Sequence, residues 1–384
     1  MISEAALHDL KNRNPVHEVA GRWVSLRRHG KGFIGPCPFH SKNPQARDST
    51  SFECDVESWV CAVCCDGGDV IRLVKLYKRC DFLGAIEWLG GTQEPDFKEV
   101  QRLAAEREKR RSEQKKTSAL YRERERRIAF DIWRHARPIH NTPAWDYLAL
   151  RGLEAPPGAK LRYADDLPAY DGGGKNAKVL HRGPAMLAAI MGPDRRFAGV
   201  HRTWIDLERP KGKALIIDPD TGEPENAKKV RGSQKGNFIE LVPQPLPQQL
   251  IIGEGIETVL AVWVALRQAG RDLSQTAFWS SINLGNLGGA ALSSVPHPTR
   301  RLANNRRATV PSPEPDLEAP GIAVPDSISD IVLLGDGDSD RFITECALVR
   351  AAARFAQPGR TVRAAWAPAG KDFNDLLCAD GVAA

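Results

Sequence analysis

The sequence predicts a multidomain α+β protein: a small Cys/His block, then a mixed α/β lobe, then an α/β domain on a parallel sheet. Three observations predict it. Five of the eight cysteines fall between Cys37 and Cys65. A charged run with glutamates and arginines three and four apart covers residues 95–128. From Gln248 onward, short apolar runs alternate with Gly-rich turns and helical patterns, which is how strand–turn–helix units read. The 384 residues suffice for two or three domains, and 42% hydrophobic with 27% charged residues is a globular composition. The longest apolar stretch, Leu250 to Leu266, is broken by Glu254 and Glu257 and is too polar to cross a membrane. No signal-peptide core stands in Met1 to Pro15, so a cytoplasmic location is expected.

The first block, residues 1–92, carries Cys37-Pro38-Phe39-His40 and, twenty residues on, Cys61-Ala62-Val63-Cys64. Two ligands separated by two residues reach one ion from a single turn. Three thiolates and one imidazole make a closed tetrahedral zinc site, which is structural and not catalytic. Cys54 and Cys65 stand as competing ligands, with the spacing in favour of Cys64. Such clustering in a reducing compartment points to metal before disulfides. Residues 93–128 then read as a charged helical linker. Between Arg102 and Arg127 there are 11 basic and 5 acidic residues, a surplus equal to the net charge of +6 for the whole chain.

Residues 129–247 open with helical patterning and turn strand-like. Ala185 to Ile190 and Val200 to Ile205 flank Gly192-Pro193-Asp194, a hairpin signal. In residues 248–384, three strand–helix pairs are expected: Leu250 to Ile252 with Ile256 to Gln268, Ile331 to Leu334 with Arg341 to Phe355, and Thr361 to Trp366 with Phe373 to Leu377. Residues 295–325, with seven prolines, are expected to be a long surface excursion or flexible insert.

An acidic turn follows each of those strands: Gly253-Glu254-Gly255, Gly335-Asp336-Gly337-Asp338-Ser339-Asp340 and Lys371-Asp372-Phe373-Asn374-Asp375. Ligands of open parallel sheets gather at the carboxyl ends of strands, so the three turns are expected to converge. Two carboxylates about 4 Å apart repel by roughly 4 kcal/mol at an effective dielectric of 20, which calls for a cation or a proton between them. Hard oxygen ligands select Mg²⁺ or Mn²⁺. Dipole-stabilising acids at helix N-termini are the plainer reading of Asp372 and Asp375. A calcium loop fails because Arg341 stands where its glycine belongs.

The Cys/His pairs, with Ser51-Phe52, Trp59-Val60 and Gly67-Gly68-Asp69-Val70-Ile71, resemble the CHC2 zinc-binding domain of bacterial and phage DNA primases. The acidic turns resemble the Toprim domain, a Rossmann-like parallel sheet shared by DnaG-type primases, topoisomerases and certain nucleases. This double resemblance implies a DNA primase of phage, plasmid or mobile-element type, a nucleotidyltransferase making short primers on single-stranded DNA from nucleoside triphosphates. It implies Glu254, Asp336 and Asp338 as catalytic residues holding Mg²⁺ or Mn²⁺, and structural Zn²⁺ on Cys37, His40, Cys61 and Cys64. It further implies a basic ridge in the middle lobe that binds nucleic acid or nucleotide through Arg202, Lys228, Lys229, Arg231 and Lys235, with Gly199, Gly232 and Gly236 allowing close approach. Arg22, Trp23, Arg27, Arg28, Lys31 and Phe33 suit a strand-binding face on the zinc block. A separate replicative helicase is a further implied partner, since no P-loop is present, and no membrane partner is expected. A Toprim nuclease and a non-catalytic single-strand-binding or helicase-recruiting protein remain open as alternatives.

Overall fold

The computed structural model describes residues 4–46, 49–91, 97–172 and 177–381, in two compact units, Met1–Lys116 and Thr117–Ala384. The first unit opens with α1 (Glu4–Arg13) and α2 (Val16–Gly21) and continues as β1 (Arg27–His29), β2 (Gly32–Gly35), β3 (Phe52–Cys54), β4 (Trp59–Cys61) and β5 (Asp66–Gly68). These strands form one antiparallel meander in chain order. Helices α3 (Val70–Lys78) and α4 (Phe82–Trp88) close it, each capped at its start by an aspartate, Asp69 accepting from the Arg72 N–H and Asp81 from the Gly84 N–H. Phe52, Trp59, Val70 and Leu73 from sheet and helix meet Leu10, Val16 and Val19 in a small core that also buries Cys37 and Cys61. The division expected at residues 92–93 lies outside the described residues.

The charged run is helical, as α5 (Phe97–His135), and continues beyond the 128 expected for the linker. Its end stops there because apolar contacts take over: Ala129, Ile132 and Trp133 pack into a core with Leu167, Leu187 and Trp204. Arg162 closes the helix, donating to the Trp133 carbonyl at 2.8 Å.

The second unit proceeds through β6 (Arg137–Pro138), α6 (Pro143–Leu150), β7 (Leu161–Tyr170), β8 (Val179–Met191), β9 (Phe197–Trp204), β10 (Ile216–Ile217), β11 (Pro224–Glu225) and β12 (Lys228–Gly232). The hairpin expected around Gly192-Pro193-Asp194 joins β8 to β9. The antiparallel order is β12-β9-β8-β7-β6. Next come β13 (Ile239–Val242), β14 (Gln249–Gly253), α7 (Ile256–Gln268), β15 (Thr276–Ser280), α8 (Leu284–Gly288), β16 (Ser294–Arg301), β17 (Arg307–Pro311), β18 (Asp330–Gly335), α9 (Arg341–Phe355), β19 (Thr361–Trp366) and α10 (Phe373–Gly381). Strands β15, β14, β18 and β19 are parallel neighbours in that order, and β13 pairs antiparallel with β15 at the edge. The strand on the lobe side of residue 247 therefore belongs to this sheet. One core runs through both, from Tyr147 and Met186 to Ile251, Val259 and Phe278.

Residues 295–325 are a largely exposed excursion between two strands of the sheet, and within it β16 and β17 pair into a hairpin tied to α9. Prolines suit a two-stranded ribbon, whose outer N–H groups need no partner. What fixes the segment is a set of cations from α9 reaching its carbonyls. Arg350, 3% exposed, donates to the Pro311 and Ser312 oxygens at 3.0 and 2.5 Å. Arg354 donates to the carbonyls of Ala290, Asp316 and Ala319. His297 on β16 is buried, accepts the Thr299 and Arg300 N–H groups at Nδ1, and so donates from Nε2 to Asp340 at 3.0 Å. Asp340 in turn caps α9 through the Ile343 N–H. Removing the guanidinium leaves two buried carbonyls without a donor, each costing about 1–3 kcal/mol. Arg350→Met should therefore lower stability by about 2 kcal/mol or more and expose residues 290–325 to limited proteolysis; an unchanged melting temperature and cleavage pattern would show that the arginine does not hold the segment.

Candidate functional site

Two places in the molecule gather chemistry. In the first unit, the strand pairing of β3 with β4 brings the loop after β2 beside the turn after β4. The ligand atoms of Cys37, His40, Cys61 and Cys64 lie within 4.8 Å of one another, and this is the only such group of three or more His, Cys, Asp or Glu among the described residues. Cys37 Sγ is 3.8 Å from Cys64 Sγ, and His40 Nδ1 is 3.1 Å from Cys64 Sγ and 3.8 Å from Cys61 Sγ. A tetrahedron with bonds of about 2.3 Å has edges of about 3.8 Å, so the four atoms fit one zinc ion. The Phe39 and Cys64 N–H groups point at the sulfurs of Cys37 and Cys61, at 3.4 and 3.3 Å, and steady their negative charge. Burial pushes the Cys37 thiol up to about 12, with Cys61 adding, so a cation must draw the proton off. The competitors are placed elsewhere: Cys54 is in the core, and Cys65 is exposed, its sulfur turned to the Ala62 carbonyl.

The strand-binding face expected here is only partly free. Trp23 stacks on Tyr77 at 3.8 Å, and Phe33 stacks on His17 at 4.6 Å, so both rings already serve packing. Arg22 sits over Trp88. The exposed strand β1 presents Arg27 and Arg28.

In the second unit, a cleft of about 700 Å³ lies at the carboxyl ends of β14 and β18. Glu254, Glu257, Asp336, Asp338 and Asp372 line it together with Arg151, His201, Lys213, Lys228 and Lys229. The turns are held by backbone contacts. Ser281 binds the Gly253 carbonyl through its N–H at 2.8 Å, and the Ser280 hydroxyl donates to the Glu254 carbonyl at 2.7 Å. Next to them Ile282 stands at φ 78°, which a β-branched residue adopts only where its surroundings force it. Gly337 has no room for a side chain: a Cβ there would come 2.0 Å from the Pro368 oxygen. That close approach lets its N–H reach the Lys371 carbonyl at 2.9 Å, drawing the Asp336–Asp338 turn against the one that carries Asp372.

Electrostatics divide the cleft. Burial pushes Asp336 up to about 6 against the pull of Thr258, which donates at 3.0 Å, and Asp372, Asp338 and Glu254 push the same way as burial. Burial also raises Glu254, with Lys228 and the Leu284 N–H opposing. These are hard oxygen donors short of positive charge, which is the set that suits a Mg²⁺ or Mn²⁺ ion. They share the cleft, though among the described residues they are not grouped as closely as the Cys and His side chains of the first unit.

The basic ridge is split by the pleat of β12. Lys228 points into the acidic cleft, where its Nζ lies 2.6 Å from Glu257. Arg231 faces a second cavity of about 370 Å³ with Arg202 and pairs with Glu125 at 3.1 Å, and Lys229 borders both cavities. Arg202 is buried over the Trp204 ring and not on a ridge. Lys235 lines neither cavity. Gly199 and Gly232 are close to each other's strands, a Cβ on Gly232 coming 2.6 Å from the Gly199 Cα, and Gly232 also lines both cavities. Sequence reasoning missed Glu257, Lys213 and Arg151. Glu257 is 4% exposed and held well below the carboxylate range by Lys228 and Lys213, which outweigh its burial. Its signal was there: an acid in the first turn of an otherwise apolar helix.

Residues 2–104 match the family described as the CHC2 zinc finger, and residues 123–241 match a domain of unknown function (DUF7146). The DNA primase of Lactococcus lactis subsp. lactis is 32% identical over 85 residues, which is 22% of this chain and 13% of that protein. The DNA primase of Clostridium acetobutylicum is 31% identical over 90 residues, 23% of this chain and 14% of that protein. The similarity thus spans about a seventh of those relatives. The crystal structure of the Aquifex aeolicus primase (zinc binding and RNA polymerase domains) aligns with 98% of this chain and 82% of its own, at 15% identity and a TM-score of 0.39. The first block is a CHC2 zinc finger of the kind bacterial DNA primases carry.

In zinc-finger peptides the metal supplies roughly 10–16 kcal/mol of apparent binding energy, much of it folding energy. Removing zinc from the full chain, by chelation or by Cys61→Ser, should therefore abolish hydrogen-exchange protection in β1–β5 while β14–β19 stay protected. Protection that survives in β1–β5 would show that the block folds on its apolar core alone.

Proposed function

We propose that the chain is a DNA primase, synthesising short primers on single-stranded DNA by metal-dependent nucleotidyl transfer at the cleft of the second unit, and that it is of the phage, plasmid or mobile-element type. The observation that carries the reading is a cleft lined both by carboxylates short of positive charge and by lysine, arginine and histidine, in a chain that also matches the CHC2 zinc finger. The C-terminal sheet resembles Toprim in its acids after the first and a later strand, Glu254 after β14 and Asp336 with Asp338 after β18.

In this reading Glu254, Asp336 and Asp338 hold Mg²⁺ or Mn²⁺. When bound, the ion lowers the pKa of the attacking 3′-hydroxyl and neutralises charge on the phosphates. The chain's residues do the rest. Lys228, Lys213 and Arg151 face the acids and are placed to take the phosphates of a nucleoside triphosphate, orienting the α-phosphate toward them. Thr258, bonded to Asp336, fixes the carboxyl of the later strand from the helix of the first. His201 is buried and pushed down to about 3, so it is a neutral part of this lining. The zinc finger, with Arg27 and Arg28 exposed on β1, would engage single-stranded template, and a helicase would be a separate partner.

Asp336→Asn with Asp338→Asn should abolish labelled short products on single-stranded DNA with Mg²⁺ or Mn²⁺, a loss of at least about a hundredfold, while template binding persists. Degradation of template by the native chain in the same assay would overturn primer synthesis and leave a nuclease. Binding without either reaction would leave a recruiting module.

A further inference from the structure

The basic wall of the cleft places two ammonium groups on one carboxylate. Lys228 Nζ lies 2.6 Å from Glu257 Oε2, and Lys213 Nζ lies 3.6 Å from Oε1, to which the Tyr147 hydroxyl donates at 2.6 Å. Each oxygen of Glu257 thus has one close donor, Tyr147 or Lys228, and Lys213 is held beyond hydrogen-bonding distance. Both lysines line the cleft. We propose that Glu257 is a positioning residue: it pins Lys228 in place and leaves Lys213 as the loosely paired cation that closes on the phosphates of a nucleotide. This rests on the reading of the cleft as a nucleotide site and adds to it the device that sets its charge.

The groups facing Lys213 come from four elements. Glu257 is on α7, Lys228 on β12, Arg151 and Tyr147 at or near the end of α6, and His201 on β9. Arg151 keeps one buried guanidinium nitrogen without a partner. His201 is uncharged and Tyr147 is held protonated by burial and by Glu257, so Glu257 is the anion nearest to Lys213, while Lys228 also acts on Glu254 and Arg151 on Asp375. An incompletely paired, partly buried cation of that kind gains from an arriving anion. Burial, with Lys228 and Arg151 adding to it, pulls Lys213 down to about 8 against the pull of Glu257. The sign follows. A phosphate dianion beside Lys213 favours its charged form and raises its pKa, so binding takes up a proton above pH 8 and weakens as pH rises.

The test is calorimetric titration of the full chain with ADP, without added divalent ions, at about pH 7.5 and about pH 9.5, where the phosphates have already lost their protons. Native protein should bind about tenfold more weakly at the higher pH. Lys213→Met should bind weakly at both, with the pH step gone. Glu257→Gln removes the anion that favours the charged form of Lys213, so its difference in ADP binding between the two pH values should shrink; in primer synthesis it should lower kcat, because Lys228 is no longer held. A residue that merely supports the fold would leave the pH step as it is in the native chain. Lys213 is about a third exposed, so its variant keeps the test should Glu257→Gln not fold. A pH step unchanged in Lys213→Met, or unchanged in folded Glu257→Gln, overturns the inference alone. Native protein that binds no ADP overturns the nucleotide reading and the inference together.

Discussion

The parallel pairing of β14 with β18 is the constraint on which the cleft depends. Its register, from Gln249 opposite Asp330 to Ile252 opposite Leu333, ends both strands at one level, so Glu254 and Asp336 leave the sheet side by side. The neighbours of these two strands lie outward on either side, β15 beyond β14 and β19 beyond β18. Chain connections therefore diverge at this point, and a crevice opens where no connection crosses the strand ends. Every later feature fills or braces that crevice. Ser280 and Ser281 tie the β15 loop to the end of β14, Gly337 draws the β18 loop to the one after β19, and Thr258 joins the first helix to the later strand.

The second constraint is charge. An acidic set at the end of a sheet is stable only if each carboxylate is hydrated, protonated or given a cation. The antiparallel lobe supplies cations but does not spend them on the acids that the sheet presents. Lys228 is pinned on Glu257 instead, at 2.6 Å, and Lys213 pairs with the same carboxylate more loosely, at 3.6 Å. On the reading proposed above, the ligand that bridges these acids and cations is a metal–nucleotide complex, which carries both a cation and phosphates.

Much of this was readable from the sequence because the signals are local. The helices at Ile256–Gln268 and Arg341–Phe355 follow from Gly-flanked turns and apolar periodicity, and the Cys/His pairs place their own ligands within single turns. What escaped depends on pairing. Strand β15 is only Thr276–Ser280, a five-residue run with no acidic turn after it, and its place between β13 and β14 is decided by the sheet. The proline-rich segment looked loose because its anchors, Arg350 and Arg354, belong to a helix some forty residues away in sequence. The ridge of Arg202, Lys228, Lys229 and Arg231 divided because alternate residues of β12 point to opposite faces, a fact of period two that a count of basic residues does not contain.

The start of α7 shows how closely environment, and not residue type, assigns roles here. Glu254 and Glu257 stand three residues apart at one helix N-terminus, whose dipole favours both negative charges by about 0.3–1 kcal/mol each. Their surroundings then separate them. Glu257 meets Lys228 and Tyr147 at 2.6 Å, and its carboxyl is held down despite complete burial. Glu254 has only the Leu284 N–H and a more distant Lys228, with Asp338 opposing, and burial carries its carboxyl up. The first is a fixed ion pair whose cost of desolvation is offset within the fold. The second keeps its offset open for a cation from outside, and two acids of one turn thereby serve different roles in the same cleft.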